Sequence, residues 1–187
     1  MSNITIAAIV GSLSKNSLNK RFYNALINQV PEGVKVNLVD ISKLPVYNRD
    51  DDAEYPKEAI EFKAQLNSVD AFLFVTPEYL RVPPAALHNA LEWASHPHGQ
   101  SALAKKPAAV TGATMGNVGT FGAQTVLRQI LATTNVRVMT APELFFTAAG
   151  RMDEEGNITN DDTVTIIDNY WKAFVEWIEL FKDKPNV

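Results

Sequence analysis

Residues 4–19 read ITIAAIVGSLSKNSLN, and this stretch decides how the rest of the sequence is interpreted. Its first part, Ile4–Val10, is almost continuously apolar, which is typical of a strand covered on both faces. A polar loop from Gly11 to Asn16 follows. Apolar residues then recur at helical spacing, at Leu18, Phe22, Ala25 and Leu26. A buried strand that passes through a short loop into an amphipathic helix is the building unit of parallel α/β sheets.

The same alternation of strand and helix continues to the end of the chain. The further predicted strands are 34–39, 71–75, 107–111 and a fifth made of 136–139 and 144–146, interrupted at Pro142. Pro56 suits the first turn of a second helix, with Ile60, Ala64 and Leu66 facing inward. Because strand two alternates like a half-exposed edge strand, we expect a five-stranded parallel sheet of order 2-1-3-4-5 between two helical layers.

Composition narrows the possible functions. A length of 187 residues predicts a single domain, 1–187. The net charge of −4 argues against nucleic-acid binding, which requires a basic surface. The absence of cysteine excludes disulfides, thiolate catalysis and thiolate metal sites. The N-terminus has no basic region ahead of its short apolar run, so we expect a cytoplasmic protein without a membrane segment.

Three unusual loops follow strands one, three and four, where parallel sheets of this order bind their ligands. In the first loop, free N–H groups at a helix N-terminus and the hydroxyls of Ser12, Ser14 and Ser17 suit a terminal phosphate. Asn19 adds a further donor. The alternative is a plain polar loop in which Ser17 caps the helix. The loop lacks the three glycines of a dinucleotide-binding fingerprint, and the chain has no Walker A motif.

The second and third loops are ambiguous when taken alone. Residues 76–84 combine Glu78, Tyr79 and Arg81 with three prolines, which either aim a fixed backbone at a planar heterocycle or form an ordinary turn with a surface Glu–Arg pair. Residues 112–122 contain four glycines, which permit either close approach to a ligand or simple turns.

Four segments together resemble a known family. GSLSKNSLNK at 11–20, LPVYNRD at 44–50, TPEYLRVPPAALHNALEW at 76–93 and RMDEEGNITND at 151–161 are similar to the NADPH-dependent FMN reductase family. The resemblance covers nearly the whole chain. It implies a flavodoxin-like fold with bound FMN. It also implies an enzyme that transfers hydride from NADPH, or NADH, to flavin N5. Ping-pong reduction of a flat acceptor then follows, with free flavins, quinones, azo or nitro compounds and chromate as candidates.

The resemblance also implies which residues form the site. The FMN phosphate is expected on Ser12, Ser14, Ser17, Leu18 and Asn19. The ring and ribityl chain are expected against Pro77, Glu78, Tyr79 and Leu80, with Gly112, Ala113, Thr114, Met115 and Gly116 on the other side. Because the cofactor performs the chemistry, no side chain is predicted as a catalytic acid or base. Arg81, the only cation in the two loops that flank the ring, is expected to contact the phosphates of the hydride donor.

Two positions depart from the family pattern. Ser14 stands where an arginine is usual, so that a charged phosphate contact is missing unless Lys15 replaces it. Leu80 stands where an asparagine is usual, which leaves only its backbone N–H for the flavin. Both departures concern predicted cofactor contacts.

The sequence leaves other interpretations of function and assembly open. A flavodoxin-type electron carrier without NADPH reactivity is the main alternative, although its usual T-x-T-G-N-T loop is absent. His96 and His98 lack an evident third ligand, so no metal site is predicted. Arg128 and Glu143 lie in apolar neighbourhoods and suggest a salt-bridged interface in a homodimer or homotetramer. The segment around Tyr47 could reach a neighbouring subunit's flavin.

Overall fold

The computed structural model describes residues 3–182. These residues form a parallel sheet of order β2-β1-β3-β4-β5, with β6 also paired to β4. The strands are β1 Ile4–Val10, β2 Val34–Leu38, β3 Ala71–Val75, β4 Pro107–Thr114, β5 Arg137–Val138 and β6 Leu144–Thr147. The parallel direction and the order 2-1-3-4-5 confirm the prediction.

The predicted fifth strand is in fact two strands. β5 pairs with the start of β4, at Pro107 and Ala108, and β6 pairs with its end, from Thr111 to Thr114. Pro142 lies between β5 and β6, and since proline has no N–H to donate, the ladder cannot run through it. The described sheet therefore has six strands where five were expected.

Helices cover both faces of the sheet. They are α1 Leu18–Ile27, α2 Lys57–Asn67, α3 Ala85–Ser95, α4 Phe121–Thr133 and α5 Asp161–Lys182, with a short 3₁₀ helix at Arg49–Ala53. The core on one face contains Phe22 of α1 and Trp171 of α5. The core on the other contains Phe62 of α2, Leu91 of α3 and Leu127 of α4. This is the three-layer arrangement expected from the sequence.

The prediction of which residues of α2 face the core is partly wrong. Leu66 is buried as expected, but Ile60 is 54% exposed and Ala64 also faces solvent. Ala59 and Phe62 are buried instead, because together with Leu66 they form one stripe at three- and four-residue spacing. That stripe carries the phenylalanine, the largest apolar side chain of the helix, into the core.

The three central strands end together at one edge of the sheet. Gly11 N–H donates to the Val75 carbonyl at 2.9 Å, and Thr76 N–H donates to the Thr111 carbonyl at 2.9 Å. At Gly112 a side chain is excluded, because a Cβ there would collide with the Thr76 carbonyl oxygen and the Thr120 hydroxyl. The loops after β1, β3 and β4 are therefore held side by side.

Candidate functional site

The loop after β1 forms a cradle of backbone and hydroxyl donors at the start of α1. Ser17 is the N-cap, and its hydroxyl oxygen accepts a hydrogen bond from Lys20 N–H at 3.2 Å. The N–H groups of Leu18 and Asn19 have no acceptor within residues 3–182. Ser12 is only 3% exposed, yet its hydroxyl forms no hydrogen bond in the same range. Unused donors at a helix N-terminus fit a phosphate dianion.

Asn19 fastens this cradle to the sheet. Its side-chain Nδ2 donates to the Ala113 carbonyl at 3.0 Å, and its Oδ1 accepts from Ala113 N–H at 2.9 Å. Both bonds are buried. The side chain predicted as a phosphate contact is thus directed at β4, and its backbone N–H is the group left free at the cradle.

The loop after β3 contains a tight turn with two residues in the left-handed region. Tyr79 and Val82 exchange backbone hydrogen bonds at 3.1 and 3.0 Å. Between them Leu80 has φ +51° and Arg81 has φ +70°. Positive φ at both central positions is the geometry of a type I′ turn, which favours Asn and Gly. Leu80 is 97% exposed, and its N–H donates to no acceptor in the described part of the chain.

Glu78 links the second loop to α4. Its carboxylate accepts from Ala123 N–H at 3.1 Å and from Arg81 Nη1 at 2.9 Å. The N-cap residue of α4, Thr120, makes no side-chain capping bond, so Glu78 supplies the cap from a different loop. The expected Glu–Arg pair is present, but its glutamate is 9% exposed and not a surface group.

The third loop is shorter than the sequence suggested. Gly112 and Ala113 are buried residues of β4, which extends to Thr114 rather than ending at Thr111. The Thr114 hydroxyl donates to the Gly116 carbonyl at 2.6 Å and accepts from Gly119 N–H at 3.1 Å. Among the predicted ring contacts in this region, Met115 and Gly116 are the exposed ones.

Gln124 shapes the third loop, and the sequence motifs do not point to it. Gln124 is fully buried, and its Nε2 donates to the Gly119 carbonyl, the Thr120 hydroxyl and the Leu144 carbonyl. A glutamine on the buried face of an apolar helix was the available signal, because such a group must find hydrogen-bond partners.

Asn89 and Trp93 of α3, which the sequence analysis does not single out, join two of the segments that resemble the family, 76–93 and 44–50. Asn89 accepts from Tyr47 N–H at 2.7 Å and donates to the Pro45 carbonyl at 2.8 Å. Trp93 Nε1 donates to the same carbonyl at 2.8 Å. Residues 45–47 are thereby held against α3. They help to enclose a largely apolar cavity of about 760 Å³ beside the second loop, with Leu13, Ile41, Leu44, Val46, Tyr79 and Leu80 among its walls.

Other expected groups have ordinary partners. Arg128 pairs with Glu143 at 3.4 Å and donates to the Met139 carbonyl at 2.7 Å, so this salt bridge lies within one chain. His96 stacks on Tyr47 with ring centroids 4.6 Å apart. Within residues 3–182, no group of three or more His, Asp or Glu is placed to hold a metal ion, and no helix is long and apolar enough to cross a membrane.

The chain is similar to known proteins in sequence and in fold. The family model described as NADPH-dependent FMN reductase matches residues 4–151. A 2-hydroxy-1,4-benzoquinone reductase from Burkholderia sp. is 39% identical over 94% of this chain and 96% of its own length. An NAD(P)H-dependent FMN reductase from Pseudomonas aeruginosa is 36% identical, covering 94% of this chain and 96% of its own. The solved structure of FerB, an NAD(P)H:(acceptor) oxidoreductase flavoenzyme from Paracoccus denitrificans, superposes with a TM-score of 0.90. It has 34% identity and covers 95% of this chain and 98% of its own.

The sheet order and the three clustered loops define a flavodoxin-like α/β protein. Within that class, the chain belongs to the NADPH-dependent FMN reductase family. It is therefore a flavin-dependent oxidoreductase, with FMN as its cofactor and NAD(P)H as its electron donor.

Proposed function

We propose that the protein is a quinone reductase that holds FMN at the three clustered loops and works by a ping-pong cycle. The observation that carries the proposal is the set of unused donors at one edge of the sheet. Leu18 N–H, Asn19 N–H and the Ser12 hydroxyl line the first loop, and Leu80 N–H lies on the second. When bound, FMN accepts hydride from the dinucleotide and passes electrons to an acceptor.

The first loop would hold the phosphate of FMN. Leu18 and Asn19 contribute backbone N–H groups, and Ser12 and Ser17 contribute hydroxyls, since the Ser17 oxygen caps α1 while its hydrogen is free to donate. Ser14 and Lys15 are both exposed at the rim of this loop. Lys15 thus supplies positive charge where the family's usual arginine is replaced by Ser14.

The second and third loops would bracket the flavin ring. The turn at Tyr79–Val82 fixes the direction of Leu80 N–H, which can donate to the ring without any side-chain contact. Fixed backbone donors of this kind stabilise negative charge that develops on a reduced ring. Met115 and Gly116, which are exposed, would complete the walls, whereas Pro77 is buried. No side chain at the site is needed as an acid or base.

The cavity beside the second loop favours quinones as acceptors. Its walls include Leu13, Ile41, Leu44 and Val46, and it adjoins Tyr79 and Leu80, so a flat apolar molecule gains by leaving water there. Small oxyanions such as chromate gain nothing from such walls. The relatives named quinone reductase support the same choice.

Arg81 is proposed to contact the phosphates of the hydride donor. Its side chain is 74% exposed, and Glu78 binds only its Nη1, so the rest of the guanidinium can still bind a ligand. Because pyrophosphate is common to NADH and NADPH, Arg81→Ala should raise the KM of both donors.

A homodimer is proposed for the functional state. Exposed apolar side chains surround the site, notably Leu80, Val46, Tyr79, Met115 and Phe121. A large exposed apolar area commonly marks a protein interface. A second copy placed here could bring its Tyr47 segment toward the neighbouring flavin.

Steady-state kinetics with NADPH and a quinone test the proposed function. We expect parallel double-reciprocal lines. We also expect a higher kcat/KM for 1,4-benzoquinone than for an azo dye, a nitroarene or chromate. Val46→Asp should lower the quinone kcat/KM, whereas Leu180→Asp, an equally charged change on exposed α5, should not. Intersecting lines, or chromate as the best acceptor, would contradict the proposal.

A further inference from the structure

The reduction of a quinone consumes protons as well as electrons. A quinone takes up two electrons and two protons to become a hydroquinone, and a hydride supplies both electrons but only one proton. The second quinone oxygen therefore gains a negative charge, which a further proton neutralises. A general acid beside such an oxygen accelerates the step by about 10²–10⁴-fold. That acid has to lie where the acceptor binds, in the cavity of about 760 Å³ beside the second loop.

Few of the side chains that line this cavity can give up a proton. The titratable ones among them are Tyr79, His88 and Glu92. The segment 41–46 adds apolar side chains and a serine. A phenol is a weak acid near neutral pH, and a glutamate is ordinarily ionised there. Histidine is the side chain whose charge changes between about pH 5 and 8, so it can give up a proton and regain it.

His88 lies on the face of α3 that forms one wall of the cavity. Ala85, His88, Asn89 and Glu92 all line the cavity, at the three- and four-residue spacing of a single helical face. The opposite end of the cavity reaches Leu80 of the second loop, where the flavin ring is proposed to bind. The cavity thus connects the proposed ring site to the imidazole of His88.

The imidazole of His88 is free to exchange a proton. Its Nε2 lies 3.8 Å from Glu92 Oε1, which is within ion-pair distance but longer than a hydrogen bond. Its side chain is 54% exposed, so water can return a proton that it has given up. The amide of Asn89, in contrast, is already committed to Tyr47 N–H and to the Pro45 carbonyl. His88 is therefore the lining group best suited to proton transfer.

We propose that His88 protonates the quinone as it is reduced in this cavity. The N–H bond at Nε2 of the charged imidazole breaks, and an O–H bond forms at the quinone oxygen that the hydride leaves negatively charged. His88 becomes neutral and regains its proton from water. Glu92 holds the charged ring at the cavity wall. The proposal rests on the proposed function, in which a quinone enters this cavity.

Stopped-flow reoxidation of the FMN-loaded protein tests the proton donor. The flavin is reduced with one equivalent of dithionite and mixed with 1,4-benzoquinone between about pH 6 and 8. The wild type should react faster as the pH falls, because more of the imidazole carries the proton. His88→Gln should react about 100-fold more slowly at the acidic end and lose this pH dependence. His98→Gln, which removes an exposed histidine outside the cavity, should behave as the wild type.

Ferricyanide distinguishes proton transfer from damage to the site. It accepts an electron without a proton, so His88→Gln should lose far less rate with ferricyanide than with benzoquinone. Equal losses with the two acceptors would overturn the proposal, as would an unchanged pH profile in His88→Gln. Because dithionite replaces the dinucleotide here, failure of NADPH to reduce the flavin would contradict the proposed function and leave this comparison intact.

Binding without turnover gives an independent measurement. Pentafluorophenol is ionised near neutral pH and presents the same negatively charged oxygen as a half-protonated hydroquinone. Calorimetry of its binding to the oxidised, FMN-loaded protein at about pH 8, in two buffers with different heats of ionisation, counts the protons taken up. The wild type and His98→Gln should take up protons as the phenolate binds, whereas His88→Gln should not. Equal uptake in the three proteins would overturn the proposal.

Discussion

At the scale of single residues, Asn19 shows how one side chain serves both fold and site. Its amide makes two buried hydrogen bonds to the backbone of Ala113, while its own N–H remains at the cradle. The motif predicts Asn19 beside a phosphate, and only the packing of α1 on β4 reveals that its side chain is directed toward the strand.

Asn19→Ala should therefore destabilise the protein. It leaves a buried N–H and a buried carbonyl of Ala113 without partners, which costs about 2–4 kcal/mol of unfolding free energy in total. Urea unfolding measures the change. Asn28→Ala, at the exposed C-cap of the same helix, serves as the control and should change stability little. Equal stability of the two variants would contradict the structural role of Asn19.

Leu80 carries backbone strain in an exposed turn. It has φ +51° and is 97% exposed, so that it lacks both a favourable conformation and packing within the chain. Leu80→Asn should raise the free energy of unfolding by about 0.5–1 kcal/mol, because asparagine tolerates the left-handed region. Leu13→Asn, an exposed control outside that region, should give no gain. A loss of stability in Leu80→Asn would show that the side chain packs in solution.

At the scale of elements, the first turn of α4 depends on a residue from a different loop. Glu78 accepts from Ala123 N–H and pairs with Arg81, which connects the loops after β3 and β4. Glu78→Ala should cost about 1–2 kcal/mol, the usual range for a lost helix cap. Glu78→Gln should cost less, because an amide oxygen can still accept from Ala123.

Hydrogen exchange at the start of α4 localises this effect. The first-turn amides should exchange faster in Glu78→Ala than in the wild type. Glu58→Gln removes an exposed charge from the first turn of α2 and should leave α4 unaffected. Uniform loss of protection across the whole sheet would indicate a global defect rather than a lost cap.

At the scale of the whole molecule, half-buried Tyr55 and buried Tyr170 should make the free energy of unfolding fall at alkaline pH. Burial, followed by the charge of Asp52, raises the pKa of Tyr55 to about 12, and burial also raises the pKa of Tyr170. The unfolded value is about 10, so the folded state favours the neutral phenols. This stabilisation is complete below about pH 10 and is lost as the pH rises through about 12.

Tyr55→Phe should reduce the fall in unfolding free energy at alkaline pH. It should cost little stability near neutral pH, because the Tyr55 hydroxyl has no hydrogen-bond partner within residues 3–182. Tyr170→Phe should also flatten the alkaline fall, but it should lower stability near neutral pH, because the Tyr170 hydroxyl donates to the Val110 carbonyl at 3.0 Å. Urea unfolding at stepped pH distinguishes the two. An unchanged alkaline slope in Tyr55→Phe would contradict the assignment.

Sheet order and strand direction could be predicted because they depend on the hydrophobic pattern and on the handedness of crossovers. The division of the last strand into β5 and β6 and the identity of the buried face of α2 could not be predicted, because both depend on which residues pack together in space. The same limit applies to the site. The sequence located its three loops, but the hydrogen bonds of Asn19, Glu78 and Gln124 depend on groups far along the chain.

The central claim is that these three loops hold FMN and expose it to NAD(P)H. The most direct test is to load the purified protein with FMN under anaerobic conditions, add NADPH and follow the visible absorbance of the oxidised flavin. The account predicts stoichiometric binding and rapid bleaching, followed by recovery of the absorbance when a quinone is added. A flavin that binds but keeps its colour, or a protein that binds no FMN, would contradict it.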